Sequence, residues 1–381
     1  MEVNIAINNR DAPLTLETRM TTVAFIVNGG YDSAMGYRAR DLAARLTHYD
    51  IRIAYRSHRK NLSILSLFIF LARVRPVVTY VFDISYSGVV AAGVYRILFD
   101  DRLIVETGDA IVELARSSGN RGRVGLWLTR LLEKAAFWFA DRVVVRGSFH
   151  QEWLARRGIN ADVIQDGVDT QKFRPENASD LRLRYGLNGA LTIGLIGSSL
   201  WSQKLQMCYG WELVETLRLL KSKCVKGIMI GSGSGISHLK ALCRDYGLEE
   251  RIVFFDHMPY EQLRRHLGLI DVCLSTQTND LVGQVRTTGK LPLYLAAGRY
   301  ILASDVGEAS RVLQQEMLVP YEGVKDEQYP QKLATRIETI LEHPEMLNCA
   351  AANVGLAEKY FDYSLLARRA GNVIEAAILS A

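Results

Sequence analysis

Apolar and polar positions alternate in blocks along the chain, and the blocks predict strands that alternate with helices. Short runs of consecutive apolar residues are typical of buried strands, and the first such run, TVAFIVN, covers residues 22–28. The strands predicted in the first half are residues 22–28, 51–55, 77–82, 103–106, 142–145 and 161–164. Stretches with helical periodicity separate them. This alternation indicates a parallel, doubly wound sheet.

A polar segment at residues 166–188 interrupts the pattern, which then starts again. The strands predicted after it are residues 191–196, 227–230, 251–255, 272–275 and 300–303, and helical periodicity continues to residue 379. The sequence therefore predicts an α/β fold of two Rossmann-like, doubly wound domains that face a cleft. The predicted domains are residues 21–180, rejoined by the C-terminal helix 356–381, and residues 181–355. Residues 1–20 are predicted to form an N-terminal extension.

Composition narrows the class of protein. The 381 residues are 49% hydrophobic and 23% charged, which is typical of a soluble globular protein and excludes wholesale disorder. The net charge of +5 is too small to indicate a nucleic-acid partner. The five cysteines form no CxxC pair, which favours reduced thiols in a cytoplasmic protein without a zinc site. The first twenty residues lack the apolar core of a signal peptide, and Leu62–Ala72 is too short to span a bilayer.

One segment concentrates positive charge, with nine cations and three acids between Arg116 and Arg157. Five of these cations are interleaved with large apolar residues; the five are Arg116, Arg121, Arg123, Arg130 and Lys134, and the apolar residues are Trp127, Leu128, Phe137, Trp138 and Phe139. A basic amphipathic helix can lie on an anionic membrane surface, which would place the protein on the inner face of the plasma membrane. The alternative is an ordinary domain helix whose aromatic residues face the core and whose arginines face water.

Glycines follow two of the predicted strands. Gly29 and Gly30 come after the first strand, and Gly231, Gly233 and Gly235 come after residues 227–230. Such turns let backbone amides approach a phosphate, although an ordinary strand-to-helix turn explains them equally well. GSGSG does not supply the GxGxxG spacing of nicotinamide-dinucleotide sites. We therefore expect no such cofactor.

Residues 140–175, ADRVVVRGSFHQEWLARRGINADVIQDGVDTQKFRP, resemble the interdomain signature of family 4 glycosyltransferases of the GT-B type. Similar segments follow in the family's order up to about residue 310; they are Gly197 with Lys204, IGSGS at 230–234, RIVFFDHMPYEQL at 251–263, residues 270–275 and YLAAGRYILASDVG at 294–307. The resemblance implies a retaining, metal-independent, hexosyltransferase-like enzyme that needs no cofactor. It would move a sugar from a nucleotide-diphosphate sugar to a hydroxyl of a glycan or lipid-linked glycan in surface polysaccharide or glycolipid biosynthesis.

The same resemblance assigns site residues. It implies catalytic roles for Asp109, Lys204 and Asp280, and donor contacts from Gly29, Gly30, Gly197, Lys204, Gly233, His257, Met258, Gly283, Arg286, Thr287, Thr288 and Lys290. The developing charge on a diphosphate leaving group needs cations and backbone amides. Two ordinary readings stay open. Lys204 could be a solvated surface lysine, and Asp109 could cap a helix that starts at Ala110.

Departures from the family pattern bear on activity. Asp280 replaces the first glutamate of the family's E-x7-E motif, and the second falls on Leu293. Ser198 and Leu205 replace a phosphate-binding arginine and a glycine. Arg286 and Lys290 could restore the missing charge, unless they belong to a solvated loop and a helix start. These losses leave two other functions open, a catalytically impaired protein that binds a sugar or a partner and a nucleotide-sugar epimerase.

Overall fold

The computed structural model describes residues 20–56, 60–119 and 121–380, and at positions 60 and 61 it describes the backbone only. The chain divides into two compact units. The first unit contains the described residues up to Asp166 and again from Tyr363, and the second unit is Gly167–Asp362. All of the predicted N-terminal extension except Met20 lies outside the described residues.

The first unit is built on a six-stranded parallel sheet. Its strands are β1 (Thr21–Val27), β2 (Tyr49–Tyr55), β3 (Val78–Phe82), β4 (Arg102–Thr107), β5 (Arg142–Val145) and β6 (Ala161–Val163), in the order β2-β1-β3-β4-β5-β6. Its helices are α1 (Ala34–Ala43), α2 (Lys60–Val74), α3 (Tyr86–Phe99), α4 (Ile111–Ser118), α5 (Arg123–Phe139), α6 (Ser148–Ala155) and the last helix of the chain, α16 (Tyr363–Leu379). The order reverses direction beside β1, as it does in doubly wound sheets.

Helices cover both faces of this sheet. Alternate residues of a strand point to opposite faces, so Phe25 joins the core formed with α1 and α16, whereas Ile26 joins the core formed with α2 and α3. All five residues of β3 are buried. Burial on both faces explains why these strands are continuous apolar runs in the sequence.

The second unit repeats the architecture with a sheet ordered β12-β11-β10-β7-β8-β9. Its strands are β7 (Leu191–Ile196), β8 (Val225–Ile230), β9 (Ile252–Phe255), β10 (Val272–Ser275), β11 (Tyr300–Ser304) and β12 (Leu318–Val319). Its helices are α7 (Ser179–Arg184), α8 (Trp211–Leu219), α9 (Ile236–Asp245), α10 (Tyr260–Leu267), α11 (Leu281–Val285), α12 (Lys290–Ala296), α13 (Ala309–Val312), α14 (Tyr329–Glu342) and α15 (Ala350–Tyr360). The predicted pair of parallel α/β sheets is confirmed.

The structure divides the chain at different points from those predicted. The first unit ends at Asp166 rather than near residue 180, and the predicted C-terminal helix is two helices, of which α15 belongs to the second unit. Hydrogen bonds fix the break between them, because Asp362 accepts from the Thr170 hydroxyl at 2.5 Å and the Phe361 carbonyl accepts from the Val168 amide at 2.9 Å. Periodicity continues across the break, so the apolar pattern alone does not reveal it.

The most apolar predicted helix lies within α2. Leu67 and Leu71 are buried against the first unit's core, while Leu65 and Ile69 are exposed. Within the residues that the structure describes, we find no helix with the length and hydropathy required to cross a bilayer.

Candidate functional site

Glycines shape the loops at the carboxyl ends of β7 and β8. Gly197, Gly231 and Gly233 have φ angles of +137°, +147° and +142°, which side chains rarely tolerate. A Cβ on Gly231 would lie 2.0 Å from the Gly197 carbonyl oxygen, and one on Gly233 would lie 2.1 Å from the Ser199 carbonyl oxygen. These glycines therefore let the two loops contact each other along their backbones. The fold requires glycine at these positions whether or not a phosphate binds there.

Lys290, the first residue of α12, lies at this edge of the sheet. Its Nζ is 3.4 Å from the centroid of the Tyr209 ring, and a Cβ on Gly197 would lie 2.8 Å from its Cε. Burial lowers the pKa of the Lys290 ammonium group to about 7; nearby Glu212 opposes this shift and Arg286 adds to it. The predicted donor residues Gly197 and Lys290 are thus neighbours. An anion beside them would meet a lysine that readily gains a proton.

A buried carboxyl group lies near Lys290, and sequence reasoning missed it. Glu212, in the first turn of α8, is fully buried, and its Oε2 accepts the Gly210 N–H at 3.0 Å. Among the described residues, Glu212 Oε1, Thr276 Oγ1 and Tyr329 OH are buried polar atoms without a hydrogen-bond partner of good geometry. Burial raises the pKa of Glu212. The sequence signal that could have indicated Glu212 is an acidic residue among the apolar positions of a predicted helix.

Lys204 occupies a different environment from Lys290. It is exposed in the turn of a short hairpin that a Ser202–Met207 bridge closes. His257 and Met258 follow β9, whose last residue, Phe255, accepts the Gly231 N–H at 3.0 Å. His257 is exposed, whereas Met258 packs partly against the second unit's core. The positions of Lys204 and His257 leave both side chains accessible to a ligand.

Asp280 has a structural role. It is the N-cap of α11, where its Oδ1 accepts the Gly283 N–H at 2.9 Å and the Thr278 hydroxyl at 2.7 Å. A Cβ on Gly283 would lie 1.8 Å from the Thr278 carbonyl oxygen, so this position requires glycine. Gln277 fixes the same segment by donating to the carbonyls of Gly283 and Arg286 at 3.0 Å and 2.5 Å. The cap keeps the carboxylate of Asp280 inside its own loop.

The segment after α11 carries the remaining predicted donor residues. Arg286, Thr287 and Thr288 are half-buried between α11 and α12. Leu293 is 8% exposed and belongs to the second unit's core. A glutamate at this position would put a carboxylate among apolar side chains, so the packing of α12 favours an apolar residue here.

In the first unit, Gly29 and Gly30 differ in their surroundings. A Cβ on Gly29 would lie 2.4 Å from Ser33 Oγ, whereas one on Gly30 would meet nothing within 4 Å. The Ser33 hydroxyl caps α1 by accepting the Gly36 N–H at 3.1 Å and donates to the Gly30 carbonyl at 2.7 Å. Gly29 thus serves the turn, while the space beside Gly30 is open.

Asp109 is half-buried after β4, and the interpretation of this residue as a helix cap is wrong. The N-cap of α4 is Ala110, and the backbone N–H groups of Ile111 and Val112 in its first turn donate to the Glu133 carboxylate of α5. The Thr107 hydroxyl donates to the Asp109 carbonyl at 2.8 Å and thereby fixes the turn. The carboxylate of Asp109 acts electrostatically on Arg146 and His150.

A buried charge network lies beside Asp109, and no motif in the sequence indicates it. Glu106 is fully buried and accepts from Arg38 Nε at 2.9 Å and from the Tyr80 hydroxyl at 2.7 Å. Arg146 pairs with Asp83 and, at 3.4 Å, with Asp166. A Cβ on Gly108 would lie 2.1 Å from the Arg146 guanidinium, so Gly108 makes room for it. The network fixes the carboxyl ends of β3, β4 and β5.

His150, on α6, is a further buried polar residue near this network. It is 1% exposed, and within the described part of the chain its Nδ1 has no hydrogen-bond partner. Burial lowers the pKa of His150 to about 4, Asp109 opposes the shift and Arg146 adds to it. The imidazole is therefore neutral at pH 7. Across the described residues there is also no cluster of three His, Cys, Asp or Glu side chains that could hold a metal ion.

Solved structures resemble the chain over nearly its whole length. Sucrose-phosphate synthase from Thermosynechococcus elongatus matches with a TM-score of 0.75 at 16% identity, covering 95% of this chain and 100% of that one. HepE from Anabaena, solved in complex with UDP and glucose, matches with a TM-score of 0.71 at 17% identity, covering 93% and 100%. The chain has the GT-B glycosyltransferase fold.

A sequence match points to the same GT-B group, although no protein-family model matches the chain. The chain is 27% identical over 157 residues to a GDP-mannose-dependent alpha-(1-6)-phosphatidylinositol monomannoside mannosyltransferase of Mycobacterium tuberculosis, in strains CDC 1551 and H37Rv. The match covers 40% of this chain and 40% of the length of those curated relatives. The resemblance to GT-B glycosyltransferases noted in the sequence is confirmed.

Proposed function

We propose that the chain is a retaining glycosyltransferase that uses a nucleotide-diphosphate sugar, without a metal ion, to glycosylate a hydroxyl of a glycan or lipid-linked glycan. The second unit would bind the donor and the first unit the acceptor. The GT-B fold supports this function, as do relatives whose names or structures include GDP-mannose or UDP-glucose. We further propose that it acts in surface polysaccharide or glycolipid synthesis at the cytoplasmic face of a membrane.

One observation carries the donor assignment, the position of Lys290 beside Gly197. A loop without side chains at Gly197 and Gly231 brings backbone close to any bound group, and Lys290 adds an ammonium to the same place. Arg286 lies close enough to influence the pKa of Lys290. In the family pattern other cations bind the phosphates. We assign that role here to Lys290 and Arg286, and Lys204 is an accessible third cation.

The chemistry follows from where charge develops. The bond between the anomeric carbon and the diphosphate oxygen breaks, the acceptor oxygen bonds to the same carbon, and the acceptor hydroxyl loses its proton to the departing diphosphate. Negative charge thus accumulates on the leaving group. Positioned cations stabilise such charge more than they stabilise the bound donor, so their removal lowers the rate of transfer.

Purified protein would be screened against UDP-, GDP- and dTDP-sugars by thermal shift, because a bound donor stabilises the folded state. Donors that raise the melting temperature would then be tested for transfer and hydrolysis.

Lys290→Met should lower donor affinity at least about tenfold, a loss of about 1.4 kcal/mol. Lys359→Met is the matched control, since Lys359 also lies on a tyrosine ring, that of Tyr360, with 4.9 Å to the centroid. Binding without transfer or hydrolysis would favour an impaired sugar-binding protein, and conversion of the free donor to an epimer would favour an epimerase.

We also propose that the first unit docks on an anionic membrane through α5 and its neighbour α3. Trp127 and Trp138 are 58% and 80% exposed, although Phe137 and Phe139 pack partly against the core. The basic residues of the Arg116–Lys134 segment are exposed alongside them. On α3 the residues Ile97, Leu98 and Phe99 are also exposed. Exposed tryptophans together with cations match the headgroup region of a bilayer.

Co-sedimentation with vesicles would test docking. Vesicles that contain phosphatidylglycerol should bind the protein at low salt, and phosphatidylcholine vesicles should bind it weakly. The double variant Trp127→Ala, Trp138→Ala should lose most of this binding, whereas Trp153→Ala should keep it because Trp153 packs under Arg157, with 3.6 Å from the guanidinium carbon to the ring centroid. Absence of binding to anionic vesicles at low salt would reject docking.

A further inference from the structure

The second unit contains a cavity of about 450 Å³ outside the residues assigned to the donor. It lies between α8, α9, the hairpin that carries Lys204 and the segment before α14. Small-molecule sites typically have volumes of about 300–1,000 Å³, so the cavity is large enough for a ligand. Neither Gly197, Arg286 nor Lys290 lines it.

Two tryptophans form walls of the cavity. Trp201 is half-buried, and its ring stacks on the imidazole of His238 with 3.8 Å between centroids and 7° between planes. The Trp201 backbone is fixed as well, since its N–H donates to Ser234 Oγ at 3.1 Å. Trp211, in the first turn of α8, is also half-buried, with Lys325 Nζ 5.7 Å from its ring centroid. Both indoles are thus held in place while part of each faces the cavity.

The charged groups at the cavity are largely paired with one another. Arg218 Nη2 is 2.7 Å from a Glu215 carboxylate oxygen, and Tyr246 donates to the other oxygen at 2.8 Å. Lys325 Nζ is 3.7 Å from Glu327. Asp245 adds a third carboxylate to the lining. Carboxylate and guanidinium groups that are held at the rim of an apolar cavity can form hydrogen bonds with the hydroxyl groups of an uncharged ligand.

We propose that this cavity is a second binding site, for a neutral saccharide. A pyranose ring has C–H faces that pack on an indole and a rim of hydroxyls that bond to carboxylates and guanidinium groups. A phosphorylated ligand is disfavoured because the three carboxylates outnumber Arg218 and Lys325. A cationic ligand is disfavoured because Lys325 already lies over Trp211 and His238 already covers one face of Trp201.

Fluorine NMR of protein labelled with 5-fluorotryptophan tests the proposal directly. The chain has five tryptophans, so five resonances are expected, each assigned by a Trp→Phe variant. The probes are methyl α-glucoside, methyl α-mannoside and methyl α-galactoside, with tetramethylammonium and UDP as ligands of the competing classes. At least one glycoside should shift the Trp201 and Trp211 resonances with saturation in the millimolar range. Trp127, Trp138 and Trp153 serve as internal controls whose resonances should not move.

Site variants locate the effect. Asp245→Asn and Trp211→Leu should each weaken the glycoside affinity at least about tenfold. Lys290→Met should leave it unchanged, because Lys290 belongs to the proposed donor site and does not line the cavity. This result is independent of donor use, so the saccharide site and the glycosyltransferase proposal can fail separately.

Three results would overturn the saccharide site. They are no shift of either resonance with any glycoside, a shift with tetramethylammonium alone, and a shift with UDP alone. If Trp211→Leu does not fold, the wild-type titration and Asp245→Asn, whose side chain is exposed on α9, still decide the matter.

Discussion

The ammonium nitrogen of Lys290 lies 3.4 Å from the centroid of the Tyr209 ring, on the side of the sheet edge where Gly197 leaves space for the lysine side chain. The face of a tyrosine ring attracts a cation, which favours the charged lysine. Burial disfavours the charged form, and it lowers the pKa of Lys290 to about 7. Tyr209 and Gly197 thus hold Lys290 at the carboxyl end of β7, and the charge of Lys290 depends on what binds beside it.

Donor binding should depend on pH through Lys290. The free side chain is protonated below about pH 7 and neutral above it, and a diphosphate favours the protonated form. Affinity for a nucleotide sugar should therefore be highest below pH 7 and should weaken, by up to about tenfold per pH unit, as pH rises through 7. Calorimetric titration between pH 6 and 9 measures this dependence. Lys290→Arg should bind with little change over that range, since arginine stays charged; an identical slope in wild type and Lys290→Arg would contradict the assignment.

Glu212 should act on donor binding through Lys290. Its carboxylate raises the pKa of Lys290, so Glu212→Gln should lower that pKa further and weaken nucleotide-sugar affinity severalfold at pH 7.5. The effect should shrink at pH 6, where Lys290 is protonated in both proteins. In the Lys290→Arg background Glu212→Gln should have little effect on affinity. A loss of equal size at both pH values would instead indicate a general disturbance of α8.

Gly231 should be intolerant of any side chain. Its φ is +147°, and a Cβ would lie 2.0 Å from the Gly197 carbonyl oxygen, which is backbone and cannot turn away. Gly231→Ala should lower the free energy of unfolding of the second unit by about 2–4 kcal/mol, by strain and by separating the two loops. Denaturant unfolding followed by circular dichroism measures the change. Gly323→Ala is the control, since it also has positive φ, +65°, but open space around its Cβ position; equal losses in both variants would show that φ alone decides.

Much of the architecture follows from apolar patterning, because strands buried on both faces leave long apolar runs. Short elements such as α11 and β12 escape this pattern, since five and two residues carry too little periodicity. The site is less accessible to sequence reasoning. The sequence indicates Lys290 as a cation that could restore the charge missing from the family pattern, whereas Glu212, Tyr209 and the Glu106 network depend on contacts between residues far apart in the chain. Motifs list residue types, and only the packing shows that Asp280 caps its own helix while Glu212 is buried.

Glu106 should be essential to the stability of the first unit. It is fully buried between Arg38 and Arg146, with Arg38 Nε at 2.9 Å and Arg146 Nε at 3.7 Å from its carboxylate. Glu106→Gln keeps the shape but leaves the Arg38 charge with a weaker partner, so unfolding free energy should fall by about 3–5 kcal/mol. Asp162→Asn tests a surface pair of the same kind, because Arg142 lies 2.9 Å from Asp162 and both side chains are about one-third exposed. That control should cost about 1 kcal/mol or less. Denaturant midpoints for both variants would decide the matter. A Glu106→Gln protein as stable as the control would show that Asp83, Asp166 and the carbonyls of Ile164 and Gln165 hold the two arginines in place without the Glu106 charge.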